Sequence, residues 1–311
     1  MRRSLIIGAA GFVGGYLIKE LQTLGDEVYA TKLPAESLDA GCCVRNLDIL
    51  DASSTTALIK EIQPDRIFHL AAQSSVAVSW KKPALTAQIN VVGAINVLEA
   101  ARAASCEPVL LLVGSSEEYG AAGTADGIIS ENVRPHPGNV YAATKAVQNC
   151  IGNIYHNAYG MKIICVRAFN HFGPGQLPQF VISDFCRQVA EIEACRHESV
   201  IRVGNLSAKR DFTDVRDIVR AYGMLAEKGR FGETYNVGSG KAVEIRSILD
   251  IILSQTSAVV SVETDETRFR PVDVPLIQAD ISKISNDTGW APKIDIVNTI
   301  SDTLEFWRSN L

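Results

Sequence analysis

Gly8-Ala9-Ala10-Gly11-Phe12-Val13-Gly14 follows a short apolar run and opens an amphipathic stretch. Glycines at this spacing let a turn tighten and let the backbone approach a pyrophosphate, with the N–H groups of a helix start directed at the anion. Further on, Tyr141-Ala-Ala-Thr-Lys145 sets a phenol and an ammonium one helical turn apart on one face. A free tyrosine titrates near ~10 and is a poor base at neutral pH. A lysine one turn away, beside a positively charged nicotinamide, favours the phenolate and makes the hydroxyl a proton donor and acceptor for a carbinol or carbonyl. The two strings together predict hydride chemistry with a Tyr–Lys acid/base.

The elements that must hold these residues alternate along the chain. Leu5–Ile7, Glu27–Thr31, Val44–Leu47, Arg66–Leu70, Val109–Val113 and Ile163–Val166 read as buried strands. Phe12–Leu24, Ser53–Ile62, Pro83–Ala104 and Val140–Tyr159 read as helices between them. That alternation predicts an α/β fold, a doubly wound parallel sheet with ligands beyond the carboxyl ends of its strands. After Val166 the rhythm changes to a Gly/Pro-rich loop, Asn170–Pro178, and a helix, Val181–Ala194. The expected division is a dinucleotide-binding domain over 1–168, with 215–240 returning to it. A smaller C-terminal lobe takes 169–214 and 241–311, and the active site is expected in the cleft between the two.

Bulk properties exclude other classes. The 311 residues are 47% apolar and 21% charged, ordinary for a soluble globular protein. A net charge of −5 gives no nucleic-acid footprint. No uninterrupted apolar run reaches the ~18 to 20 residues of a membrane span, so no membrane partner is expected. Met1-Arg2-Arg3 imitates the basic start of a signal peptide, but the apolar run after it is short and enters the glycine turn, so it reads as a first strand. Seven cysteines with no CxxC spacing argue against a disulfide framework or a metal site and fit reduced thiols in a cytoplasmic protein.

At the end of the second strand, where a carboxylate would bind a ribose 2′-hydroxyl, stand Thr31 and Lys32. A hydroxyl and a cation suit a 2′-phosphate, so NADPH is the expected cofactor, with NADH the alternative if Lys32 is only a solvated charge. Asp48 and Ile49 after the third strand could meet the adenine; Leu70, Ala71 and Ala72 after the fourth offer small side chains beside the cofactor ribose. All five also read as loop and core residues. Gly114-Ser115-Ser116-Glu117-Glu118-Tyr119-Gly120 closes the fifth strand, and a serine there can share the substrate oxygen with Tyr141.

Ser115, Tyr141 and Lys145 in this layout resemble the extended short-chain dehydrogenase/reductase family. The likeness runs through Asn170-His-Phe-Gly-Pro-Gly-Gln176, Gly204–Asp217, Tyr235-Asn-Val-Gly238 and Arg270-Pro-Val-Asp-Val274. Within it the chain is similar to reductases that make GDP-D-rhamnose and to GDP-mannose 4,6-dehydratases. The resemblance implies a GDP-sugar substrate and hydride delivery to its C4 keto group. Tyr141 would protonate the oxygen, Lys145 would hold the nicotinamide ribose and lower the Tyr141 pKa, and Ser115 would orient the oxygen. Arg210 and Arg270 become candidates for the diphosphate, since a guanidinium fork matches phosphate oxygens. Asn170, Val181, Asn205 and Asp273 become candidates around the nucleotide. Arg210 also reads as one member of a solvated ion-pair loop, and Asp214 as a helix cap.

Glu117 stands where the dehydratases carry the carboxylate that takes the C5 proton. Against a dehydratase, only nine residues separate Lys32 from Cys42, where those enzymes carry a long insertion. An epimerase and a non-catalytic cofactor sensor are further alternatives, the sensor disfavoured because Ser115, Tyr141 and Lys145 are all present. The resemblance also implies a homodimer through a four-helix bundle of Pro83–Ala104 and Val140–Tyr159.

Overall fold

The computed structural model describes residues 1–121, 127–268 and 274–311. Arg270 and Asp273 lie outside the described residues. Seven parallel strands form the main sheet, in the order Thr234–Val237, Ile163–Ala168, Val109–Val113, Arg66–His69, Arg3–Ile7, Glu27–Lys32, Cys43–Asn46. Side-chain alternation divides each strand between two cores. Ile6, Phe68, Leu111 and Ile164 pack with the helices Phe12–Thr23 and Val215–Lys228. Leu5, Ile67, Leu110 and Ile163 pack with Ala52–Ile62 and Gly93–Arg102. Each such side chain, fully buried, contributes about 1.5–3 kcal/mol.

A second sheet centres on Lys209–Asp214, which runs antiparallel to Ala242–Glu244 and parallel to Leu276–Ala279 and Asn170–Phe172. Phe172, Phe185, Ile248, Ile252 and Leu304 form the core of this lobe. Fully buried Asp211 fastens it: its carboxylate accepts from Ser239 N (2.7 Å), Ser239 Oγ (2.6 Å), Gly240 N (2.9 Å) and Ala279 N (3.0 Å). Two exchanges cross the expected boundary. Ile128–Ile129 adds a strand to the lobe's sheet, and Ile284 and Trp290 pack into the first core.

Residues 83–102 form one continuous helix whose middle turn, Gln88–Val92, is π-helical. By length and composition this helix could cross a membrane, which the sequence reading did not anticipate. Its inner face is occupied by protein: it packs on Ala52–Ile62 and Val140–Tyr159. Fully buried Asn90 accepts from Gln73 N (2.8 Å) and donates to Gln73 O (3.1 Å) and Thr144 Oγ1 (2.9 Å).

The glycine turn is a tight joint. Gly8 has φ +87° and lies so close to the Ala71 backbone that a Cβ would overlap it, and a Cβ on Gly14 would overlap the Ala9 carbonyl. Gly14→Ala is therefore expected to destabilise the protein by about 1–3 kcal/mol. A denaturant midpoint unchanged from wild type would contradict this.

Candidate active site

Ser115 leaves the strand Val109–Val113 and caps the short 3₁₀ turn Ser116–Tyr119. Its hydroxyl accepts from Glu117 N (3.2 Å) and is hydrogen-bonded to the Tyr141 hydroxyl. Tyr141 sits in the first turn of Val140–Tyr159, whose cap Asn139 accepts from Ala142 N (2.8 Å). The Asn139 amide also donates to Glu117 Oε2 (3.1 Å), so one side chain joins the helix start to the serine turn. Ser115, Glu117 and Tyr141 therefore converge.

Lys145 is buried and donates to Val113 O (2.8 Å) and Gln148 Oε1 (3.1 Å). Burial pulls its pKa down to about 8, against the opposing pull of Glu118. Tyr141 is pushed up to about 12, chiefly by burial, with Ser115 lowering it and Glu117 and Glu118 adding to the rise. The Lys145 ammonium is bonded to a carbonyl and an amide, and the charged groups that raise Tyr141 are the two carboxylates. The chain's own groups keep the phenol protonated, the state of a proton donor.

The sequence reading missed Glu118 and Arg167. Glu118 is fully buried and accepts from Ser115 N (2.9 Å), Asn149 Nδ2 (2.9 Å) and Arg167 Nε (3.0 Å). Arg167 donates to the Tyr119 hydroxyl (2.9 Å), which donates to Asn236 Oδ1 (2.7 Å). A signal was present: an arginine inside the apolar strand Ile163-Ile-Cys-Val-Arg-Ala168 requires a buried anion. Arg134 and His136 were also passed over. With Ala121 and Pro135 they line a cavity of about 550 Å³, and His136 N donates to Glu118 O (2.9 Å), which sets that wall against the serine turn.

The dinucleotide candidates gather at the carboxyl ends of the first four main-sheet strands in the chain. Gly11 starts the helix Phe12–Thr23 with no side-chain cap and no acid in its first turn, leaving its N–H groups to an anion. The residues present thus fit a pyrophosphate. Val13 packs into the core, and Phe12 stacks on His171 (centroids 6.3 Å apart). Thr31 is buried, its hydroxyl accepting from Gly8 N (3.1 Å), so it serves the glycine turn. Lys32 is partly exposed, its ammonium on Leu33 O (3.2 Å). Asp48 is exposed and accepts from Leu50 N (3.0 Å), while Ile49 is buried above Gly93. Leu70 N and Ala71 N both donate to Ile7 O (2.9 and 2.8 Å), which draws the Leu70–Ala72 segment over the turn.

The substrate candidates are more dispersed. Asn170 is exposed at the start of the strand paired with Lys209–Asp214, and Arg210, on that partner strand, is buried with its guanidinium on Lys209 O (2.9 Å). Val181 is partly buried at the start of its helix, and Asn205 accepts from Ser207 N (3.0 Å) in its own turn. Asp214 is a helix cap, as the alternative reading had it.

The profile of the GDP-mannose 4,6 dehydratase family matches residues 5–303. The chain belongs to this family. It is thereby an extended short-chain dehydrogenase/reductase, an NAD(P)-dependent oxidoreductase acting on a nucleotide sugar. The GDP-6-deoxy-D-mannose reductase of Pseudomonas aeruginosa is 30% identical over 310 residues, covering 100% of this chain and 98% of that protein. A UDP-glucose 4-epimerase of Mycolicibacterium smegmatis is also 30% identical, covering 99% of each. Among solved structures, that of RMD from Pseudomonas aeruginosa complexed with NADPH superposes with a TM-score of 0.90 at 30% identity, covering both chains completely.

Lys145 carries its charge below about pH 8 and loses it above. The kcat/KM profile, which reports the free enzyme, is expected to fall on an alkaline limb with its midpoint near 8. A profile flat to pH 10 would show that the lysine charge is not used.

Proposed function

We propose that this enzyme reduces the C4 keto group of GDP-4-keto-6-deoxy-D-mannose to give GDP-D-rhamnose, with NADPH as reductant. The observation that carries the reading is the hydrogen-bonded Ser115–Tyr141 hydroxyl pair just beyond the carboxyl end of the strand Val109–Val113. Nicotinamide, when bound, supplies the hydride. Ser115 and Tyr141 hold the carbonyl oxygen, and Tyr141 gives it a proton as negative charge develops there. Lys145 holds the nicotinamide ribose. Gly8, Gly11 and Gly14 receive the pyrophosphate, and Lys32 receives the 2′-phosphate. Arg210, Asn170, Val181 and Asn205 are the candidates for the GDP moiety, and Arg270 and Asp273, outside the described residues, are further ones.

The full-length likeness to a GDP-6-deoxy-D-mannose reductase supports this substrate. So does the short connection from Lys32 to Cys43, which suits a cofactor that is exchanged at each turnover. A second reading, GDP-mannose 4,6-dehydratase, is favoured by Glu117, whose charge acts on Tyr141. Its bond from Asn139 gives that carboxylate a structural task as well. Leu85 and Val92 on one long helix and Val147, Ile154 and Tyr159 on the other are exposed apolar residues that support a homodimer through these helices. The free cysteines suit a reducing cytoplasm.

Purified protein given the keto-sugar and NADPH is expected to consume the reduced-nicotinamide absorbance, and Tyr141→Phe to lower kcat by about 10²–10⁴-fold. Absorbance that stays constant, with keto-sugar appearing from GDP-mannose alone, would transfer the assignment to the dehydratase. Replacing Lys32 with Asp is expected to weaken NADPH by about 10–100-fold, the worth of one charge-assisted contact, while sparing NADH. Equal loss of both cofactors would remove Lys32 from the 2′-phosphate site.

A further inference from the structure

We propose that Glu118 is a positioning residue for the reaction: clamped by Arg167 and Asn149, its carboxylate fixes the main chain of Ser115 and so aims the serine hydroxyl at Tyr141. Three observations carry this. The Glu118 carboxylate is fully enclosed, yet one oxygen is directed at the Ser115 N–H (2.9 Å) while Glu118 N donates back to Ser115 O (3.1 Å), so the turn is gripped from both sides. The carboxylate is itself immobilised, by Arg167 Nε (3.0 Å) and by the Asn149 amide on both oxygens (2.9 and 3.0 Å). Gly114, immediately before the serine, has no room for a side chain, because a Cβ would overlap the Glu118 carboxylate and crowd the Asn149 amide.

The clamp reaches further than the serine. Asn149 lies one helical turn beyond Lys145 on the helix that carries Tyr141, so the carboxylate joins the serine turn to the phenol's helix. Arg167 is stacked over the Tyr119 ring (4.6 Å) and held by its hydroxyl, which locks the last residue of the same turn. A shift of the Ser115 main chain would move the hydroxyl off the phenol, and an ångström of misplacement is enough to cost a large factor in rate.

The test rests on the reductive reading through its assay, so wild-type turnover of keto-sugar with NADPH is established first. A wild type without turnover ends that reading alone, and the same variants are then compared on GDP-mannose. Glu118→Asp keeps the charge and the arginine pair but withdraws the carboxylate by one methylene. It is expected to lower kcat at least tenfold with the KM for NADPH within threefold. In a Ser115→Ala background, Glu118→Asp is expected to add no further loss, because Glu118 acts through the serine. The paired replacement Glu118→Leu with Arg167→Met removes both buried charges, a change that folds tend to accept, and should repeat the Asp pattern. Wild-type kcat in the Asp variant or the paired variant, or a full additional loss on top of Ser115→Ala, would overturn the proposal.

Discussion

A parallel sheet forces the chain to leave every strand at the same edge and return by a crossover at the other. That constraint places Gly8, Lys32, Ala71, Ser115 and Asn170, which are scattered over the chain, at one edge of one sheet. Both faces of the sheet are covered by helices, so the residues that its strands bury are mostly apolar. The glycine turn depends directly on this arrangement. Ala71 closes over Gly8 because the strands that precede them are neighbours, with Ile7 beside His69.

The exceptions to the apolar rule carry the site. Arg167 brings a charge into a buried strand and finds Glu118, and the pair ties together the serine turn, the helix of Tyr141 and the Tyr119–Asn236 contact. Leaving either charge alone would cost on the order of 3–5 kcal/mol, so the network is held by its own desolvation. Its field also acts on the reacting groups, since Glu118 raises both Tyr141 and Lys145. For the lysine, burial outweighs that carboxylate. For the tyrosine, burial and the carboxylates act in the same direction and leave a protonated acid.

The glycine-turn helix is held against the segment that follows the strand Ile163–Ala168. Phe12, inside the glycine turn, stacks on His171, and the Tyr16 hydroxyl donates to Pro174 O (2.7 Å). The helix expected to meet the pyrophosphate is thus packed against the loop that opens the second lobe. Asp211 and Asp214 look like site acids in a sequence, yet both hold the architecture: one anchors the lobe's sheet, the other caps a helix and accepts from Thr299 Oγ1 (2.7 Å).

By itself the sequence determined the parallel sheet, the positions of its strands and main helices, the dinucleotide turn and the Ser–Tyr–Lys arrangement. These follow from short-range rules: apolar runs, glycine spacing, and residues one helical turn apart. Glu117 and Tyr141 were legible one at a time, but not Asn139, the cap that joins them. Tertiary structure alone decided that Thr31 serves the glycine turn, that Ile49 fills the space over Gly93, and that Lys145 is bonded to the Val113 carbonyl and the Gln148 amide. It also decided that Glu118, next to a residue already under scrutiny, is the buried partner of an arginine 49 positions away. Burial and long-range pairing set those outcomes, and neither is a property of local spacing: a carboxylate's role depends on which charge the fold brings to it and on whether water is excluded from both.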